Sequence, residues 1–141
     1  MGRINWGRVI LGGLLAGVII NIGENLCGGL ILKKRWDAAM SALHVTMPGG
    51  AQAMTIWVLF GFVLGIFTLW LYAAIRPRYG AGVKTALCAG AAVWFLGSFL
   101  ASVSSWNMGV FPSSLMIPST LLELIEVLIA AVVGAWVYKE A

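Results

Sequence analysis

The chain has 141 residues, of which 61% are hydrophobic and 10% charged, with a formal net charge of +4. Soluble domains average about 45–50% apolar and about 25% charged residues, and a body this small leaves too much of itself outside to hide the excess. A freely soluble enzyme, a nucleic-acid reader and a disordered tail are excluded. The expected solvent is a bilayer.

The apolar residues fall into four blocks, Val9 to Leu32, Ala53 to Ile75, Val83 to Ser105 and Pro118 to Tyr138. Each supplies the roughly 20 helical residues that cross a hydrocarbon core of about 30 Å. None shows the period-2 alternation of a barrel strand, and helices satisfy their own amides where lipid offers no partner. The spacing therefore predicts an all-α integral membrane protein: four transmembrane helices in a compact up-down bundle, one domain over residues 1–141.

The first block opens on Arg3 and Arg8, but its apolar run is too long for a cleaved leader and no A-x-A site closes it. It is expected to be retained. Met1-Gly2 is followed by Trp6 where an acylation signal wants Ser or Thr, so myristoylation is not expected. Gly13, Gly17, Asn21 and Asn25 follow at steps of four, with Glu24 adjoining. Segment 33–50 is the first outer loop. In it Trp36, Met40, Leu43 and Met47 recur at helical spacing before Pro48-Gly49-Gly50. That pattern predicts a short amphipathic helix lying on the outer surface. Trp36, Met40 and His44 are its candidate ligand or docking residues.

The second block carries Gly61 and Gly65, then Thr68 and Tyr72, on one face. The third carries Gly90, Gly97, Ser98, Ala101 and Ser102, and the fourth Ser119, Glu123, Glu126, Ala130 and Gly134. Small stripes of this kind let membrane helices approach closely. Gly13, Gly17, Gly61, Gly65, Gly90, Gly97 and Gly134 are the packing candidates. The second-block stripe is alternatively a seam between copies. Trp6, Trp36, Trp106, Trp136 and Tyr138 fall near block ends, where an interfacial aromatic belt is expected.

Orientation follows from the short loops. Arg3, Arg8, Arg76, Arg78, Lys84 and Lys139 share one side against Lys33, Lys34 and Arg35 on the other, six against three. Both termini are expected in the cytoplasm, and the protein in the inner (cytoplasmic) membrane.

Three of the five acids lie inside the blocks. At 1.5 Å per residue, Glu24 stands roughly 22 Å above the inner end, Glu126 roughly 18 Å and Glu123 roughly 22 Å. Ser98 reaches the same level, and no Lys or Arg does. Intramembrane carboxylates are costly and need a reason, and three together cannot all stay charged in a poorly hydrated place. Three resolutions are open. The acids are neutral glue, hydrogen-bonded to Asn21, Asn25 and Ser98; or they bind a cation through hard oxygens; or they line a watery vestibule that passes protons or cations.

Catalytic machinery is not visible. His44 is the lone histidine, Glu123-x-x-Glu126 is not the Glu-x-x-His of a di-iron bundle, and no phosphate loop or nucleophile elbow occurs. No cofactor is indicated. Cys27 and Cys88 differ in height by about 18–20 Å, too far to bridge, and are expected as buried small residues.

The stretches Arg3-Ile4-Asn5-Trp6, Glu24-Asn25 and Tyr72-Ala73-Ala74-Ile75-Arg76-Pro77-Arg78 resemble small bacterial four-helix membrane proteins of unknown function. The resemblance implies the fold and no activity. Small multidrug exporters also have four helices and a membrane glutamate in the first, but here Glu24 lies beyond mid-helix and two more acids sit in the fourth. The expected function is that of a non-catalytic accessory subunit or homo-oligomer packed against other membrane helices. The alternatives are a proton- or cation-linked transporter or channel using the acids, and a lipid or pigment binder.

Overall fold

The computed structural model describes residues 3–140; Met1-Gly2, on which the acylation question turns, lies outside them. Helix α1 (Trp6–Leu26) runs on through a π-helical turn at Cys27–Ile31. Then come α2 (Lys33–Ala42), α3 (Ala51–Tyr79) and α4 (Val83–Trp94). A second π turn, Phe95–Phe99, carries α4 into α5 (Leu100–Asn107), and α6 (Ser113–Val137) completes the order. Four continuous stretches, Trp6–Ile31, Ala51–Tyr79, Val83–Asn107 and Ser113–Val137, are long and apolar enough to cross a membrane. This is a membrane protein, and among the described residues no strand occurs.

Two boundaries differ most from the sequence expectation. The last helix begins at Ser113 rather than Pro118, so Pro118 lies inside it. Proline lacks the N–H that would bond the carbonyl four residues back, here that of Ser114. The Arg35 guanidinium, reaching across from α2, donates to that oxygen at 2.8 Å. A distant side chain thus replaces the lost helical bond and lets the helix continue. Helix α3 likewise extends past Ile75, through Pro77, to Tyr79.

Helix α1 packs on both α3 and α6, and α4 packs on α6 and α3. The core is built largely of Ala and Gly, with Val9, Ile20, Leu69, Tyr72 and Tyr138 filling between. Side chains this small bring backbones close enough for dispersion contacts to drive association where water does not. A Cβ at Gly13 would overlap Ile66, one at Gly17 Phe62, and one at Gly65 the Gly13 carbonyl and Gly17 amide. Gly12 and Gly134 do the same between α1 and α6, and a Cβ at Gly90 would come within 3.0 Å of the Ala131 side chain. The Gly61–Gly65 stripe is therefore filled by α1 of the same chain, not free as a seam between copies. A Cβ at Gly97 would meet nothing within 4 Å, so no close helix approach requires glycine there.

One end of the molecule is tied by polar contacts. The Asn5 amide donates to Tyr138 Oη at 3.3 Å, the Gly82 amide to Tyr72 Oη at 3.2 Å, and the two tyrosine rings meet edge to face. Arg76 lies over the Tyr138 ring and 3.1 Å from Glu140. Tyr138 is consequently 5% exposed, a core residue rather than a member of an aromatic belt. The Gly80-Ala81-Gly82 turn between α3 and α4 needs φ of 86° and 124° at its glycines, values open to residues without a Cβ.

At the other end α2 sets Ala39, Trp36 and Met40 toward the molecule; Ala39 joins Leu115 and Met116 in a small cluster, and Trp36 stacks edge-on against Phe111. Leu43 and Met47 lie beyond the helix and are 38% and 54% exposed, so the expected stripe is only its first half. His44 closes α2 with φ of 55°. Its amide bonds Ser41 O, and that of Val45 bonds Met40 O, the paired bonds of a Schellman cap that glycine usually occupies.

Candidate functional site: a carboxylate layer beside two π turns

The register of α1 against α6 is set by Gly12 on Gly134 and, about three turns further along, by Gly23 on Glu126. A Cβ at Gly23 would strike the Glu126 carboxyl group. In α6 the Cα–Cβ bonds tilt toward the N-terminus, which carries this carboxyl up to the level of Gly23 and its neighbour Glu24. Between α4 and α6, Gly90 lies on Ala131 and Val127, and Trp94 Nε1 donates to Thr120 O at 2.9 Å. One turn beyond Trp94, Ser98 faces Glu123. Glu24, Glu123 and Glu126 are near enough to act on one another electrostatically.

The three acids differ in surroundings. Glu126 is 6% exposed and neither carboxylate oxygen has a hydrogen-bond partner. Ser119, two turns away on the same stripe, is also 6% exposed with its hydroxyl unpartnered. Glu123 is half-buried, and Glu24 is exposed on the side of the molecule. A buried polar atom without a partner costs about 1–3 kcal/mol. These atoms therefore call for something beyond the chain's own side chains.

The expected amide partners are elsewhere. Asn21 turns to α3, where its Nδ2 donates to Gly17 O at 2.9 Å and Val58 O at 3.2 Å, against Gly61. Its place in the Gly13–Gly17 stripe explains this, since that stripe faces α3 while Gly12, Ala16 and Gly23 face α6. Asn25 is exposed and lines, with Asn21, a shallow lateral groove of about 440 Å³ between α1 and α3. Neither asparagine bonds an acid. Cys27 is half-buried and Cys88 exposed, both free, so neither is the buried small residue expected.

Both π turns adjoin this layer: Cys27–Ile31 follows Glu24-Asn25, and Phe95–Phe99 contains Ser98. Single π turns recur at functional positions because they redirect side chains and widen the helix. Neither contains a buried residue. Nothing in the apolar composition of either segment signals a change of helical pitch, and Gly23 and Gly12, unlike Gly13, fall outside the four-residue series that draws attention to this helix.

Of the remaining candidates, Trp36 and Met40 are half-buried packing residues of α2, and exposed His44 is a helix terminator. A second open groove, about 420 Å³, lies between Ile31, Leu32, Arg35, Pro118, Leu121 and Leu122. Among the described residues no three His, Cys, Asp or Glu side chains are grouped to hold a metal ion. The chain matches no family model, no curated protein and no solved structure.

Proposed function

We propose that the protein is a small non-catalytic subunit of a larger assembly in the bacterial cytoplasmic membrane. Its four helices form an up-down bundle with both termini cytoplasmic, and α2 is an amphipathic helix at the outer surface. The reading rests chiefly on what the isolated chain leaves uncovered. Helix α5 buries none of its residues, while Glu24 and Asn25 on α1 are exposed within an apolar span. A charged group inside a membrane helix is costly, by about 2.5–3.5 kcal/mol at the centre on insertion scales and by less in the outer half where Glu24 lies. Contact with another membrane helix removes that cost and gives α5 something to pack on.

The test is gentle solubilisation of native membranes, followed by separation by size and identification of what migrates with the chain. A defined larger species is expected. Recovery of the protein as a free monomer alone overturns the proposal.

A second reading, passage of protons or cations, draws support from Glu126, whose buried oxygens lack partners. It predicts flux in liposomes that disappears when Glu24, Glu123 and Glu126 all become Gln. Flux that survives the triple change removes the acids from the pathway.

A further inference from the structure

We infer that the face formed by Glu24, Glu123 and Ser98 receives a transmembrane helix of a different protein, carrying a Lys or Arg side chain at the level of Gly23. This deepens the subunit reading and rests on it.

Charge complementarity carries it first. The nine basic residues are Arg3, Arg8, Lys33, Lys34, Arg35, Arg76, Arg78, Lys84 and Lys139, all toward the ends of the spans. The acid layer therefore has no counter-charge from its own chain. Ionisable side chains inside membranes pair with one another or with backbone carbonyls, and a basic partner for this layer has to come from another chain.

Geometry carries it next. Helices α1 and α5 each touch α6 but have no extended contact with each other. Glu24 on α1 and the unburied residues of α5 thus flank α6 on either side, with half-buried Glu123 between. Behind Glu123 on the same stripe, Ser119 and Glu126 are more than nine-tenths buried and unpartnered. The layer is incomplete inside as well as at its surface.

The chemistry narrows the occupant. A second copy also lacks Lys and Arg at this level, so it cannot supply the base whichever face it presents. A bare metal ion needs its ligands gathered round it, and no three of these side chains are so grouped. An ammonium with three donors, or a guanidinium with five, bridges separated carboxylates and a hydroxyl from the end of a long stem.

The experiment uses the full chain in phosphatidylcholine vesicles with dye-labelled Leu–Ala helices of roughly 24 residues, long enough to span. These carry one Lys, one Leu or one Glu about a third of the way in. Energy transfer from the protein's tryptophans reads association. The Lys helix is expected to associate at least ten-fold more strongly than the Leu helix. Glu24→Gln with Glu123→Gln should abolish that preference. Because a lost signal could reflect misfolding, Glu24→Lys is paired with the Glu helix, and recovered association there supports the proposal. Equal association of the three helices overturns it, as does a Lys preference untouched by the Gln changes. A larger native species without Lys-helix preference defeats this site alone; a native monomer that still selects the Lys helix defeats the subunit reading alone.

Discussion

At the scale of single residues, glycines that look alike in sequence are separated by what lies opposite them. Gly65 faces backbone atoms of Gly13 and Gly17, which cannot swing aside as a side chain can. Gly65→Ala is expected to force α1 and α3 apart and cost about 1–3 kcal/mol, the usual range for overpacking. Gly97 faces open space, and Gly97→Ala is expected to be neutral or stabilising by up to about 1 kcal/mol through helix propensity. Thermal unfolding in detergent checks both, with opposite signs expected. His44 offers a third case. It holds φ of 55° at the end of α2, a region that costs an ordinary residue roughly 1–2 kcal/mol and glycine little. His44→Gly should raise the unfolding midpoint by the equivalent of about 1 kcal/mol, the gain reduced by glycine's greater freedom when unfolded. A fall would show that His44 makes a contact worth more than its strain.

At the scale of elements, the four long helices were legible because length and apolarity suffice to announce them, but their ends were not. Pro118 reads as a natural start, since proline is welcome in a first turn. What moves the start back to Ser113 is Arg35, 79 residues earlier than Ser114 and satisfying its carbonyl. No local pattern contains such a bond. The stripes were legible as stripes, yet not as to partner: α1 lies between α3 and α6 and needs two of them, so Asn21 turns to α3 while Gly23 meets Glu126. The common level of the acids followed from the helical rise alone, whereas the exposure of Glu24 depended on which helix failed to cover it. The Arg35–Ser114 bond carries a quantitative expectation. Arg35→Ala should cost about 0.5–1.5 kcal/mol, a typical net hydrogen bond. In a Pro118→Ala background the restored amide can serve Ser114, and the same change should cost clearly less. A double-mutant cycle measures this coupling, and additive effects would mean that Arg35 acts elsewhere.

At the scale of the whole molecule, cohesion is uneven along the membrane normal. Toward the Tyr138 end, α4 buries Thr85, Ala86, Ala89, Gly90 and Val93 against its neighbours, and polar ties join Asn5, Tyr72, Gly82 and Tyr138. Past the π turn at Phe95–Phe99 the same span buries nothing. Local stability follows local burial, so segments with few packed side chains open at lower free energy than the core. In the purified chain, amides of Leu100–Asn107 should exchange with solvent faster than those of Val83–Val93, although both belong to one continuous span. The same contrast distinguishes intrinsic looseness from an unmet interface. If a partner helix covers α5 in native membranes, exchange there should slow toward the rate of Val83–Val93, while the Tyr138 end stays unchanged. Hydrogen exchange read by mass spectrometry, before and after removal from the native membrane, measures both rates on one peptide map. Fast exchange of α5 in both settings would count against a partner on this face, and equal exchange along the whole span in the purified chain would mean that α5 is held by contacts within its own fold.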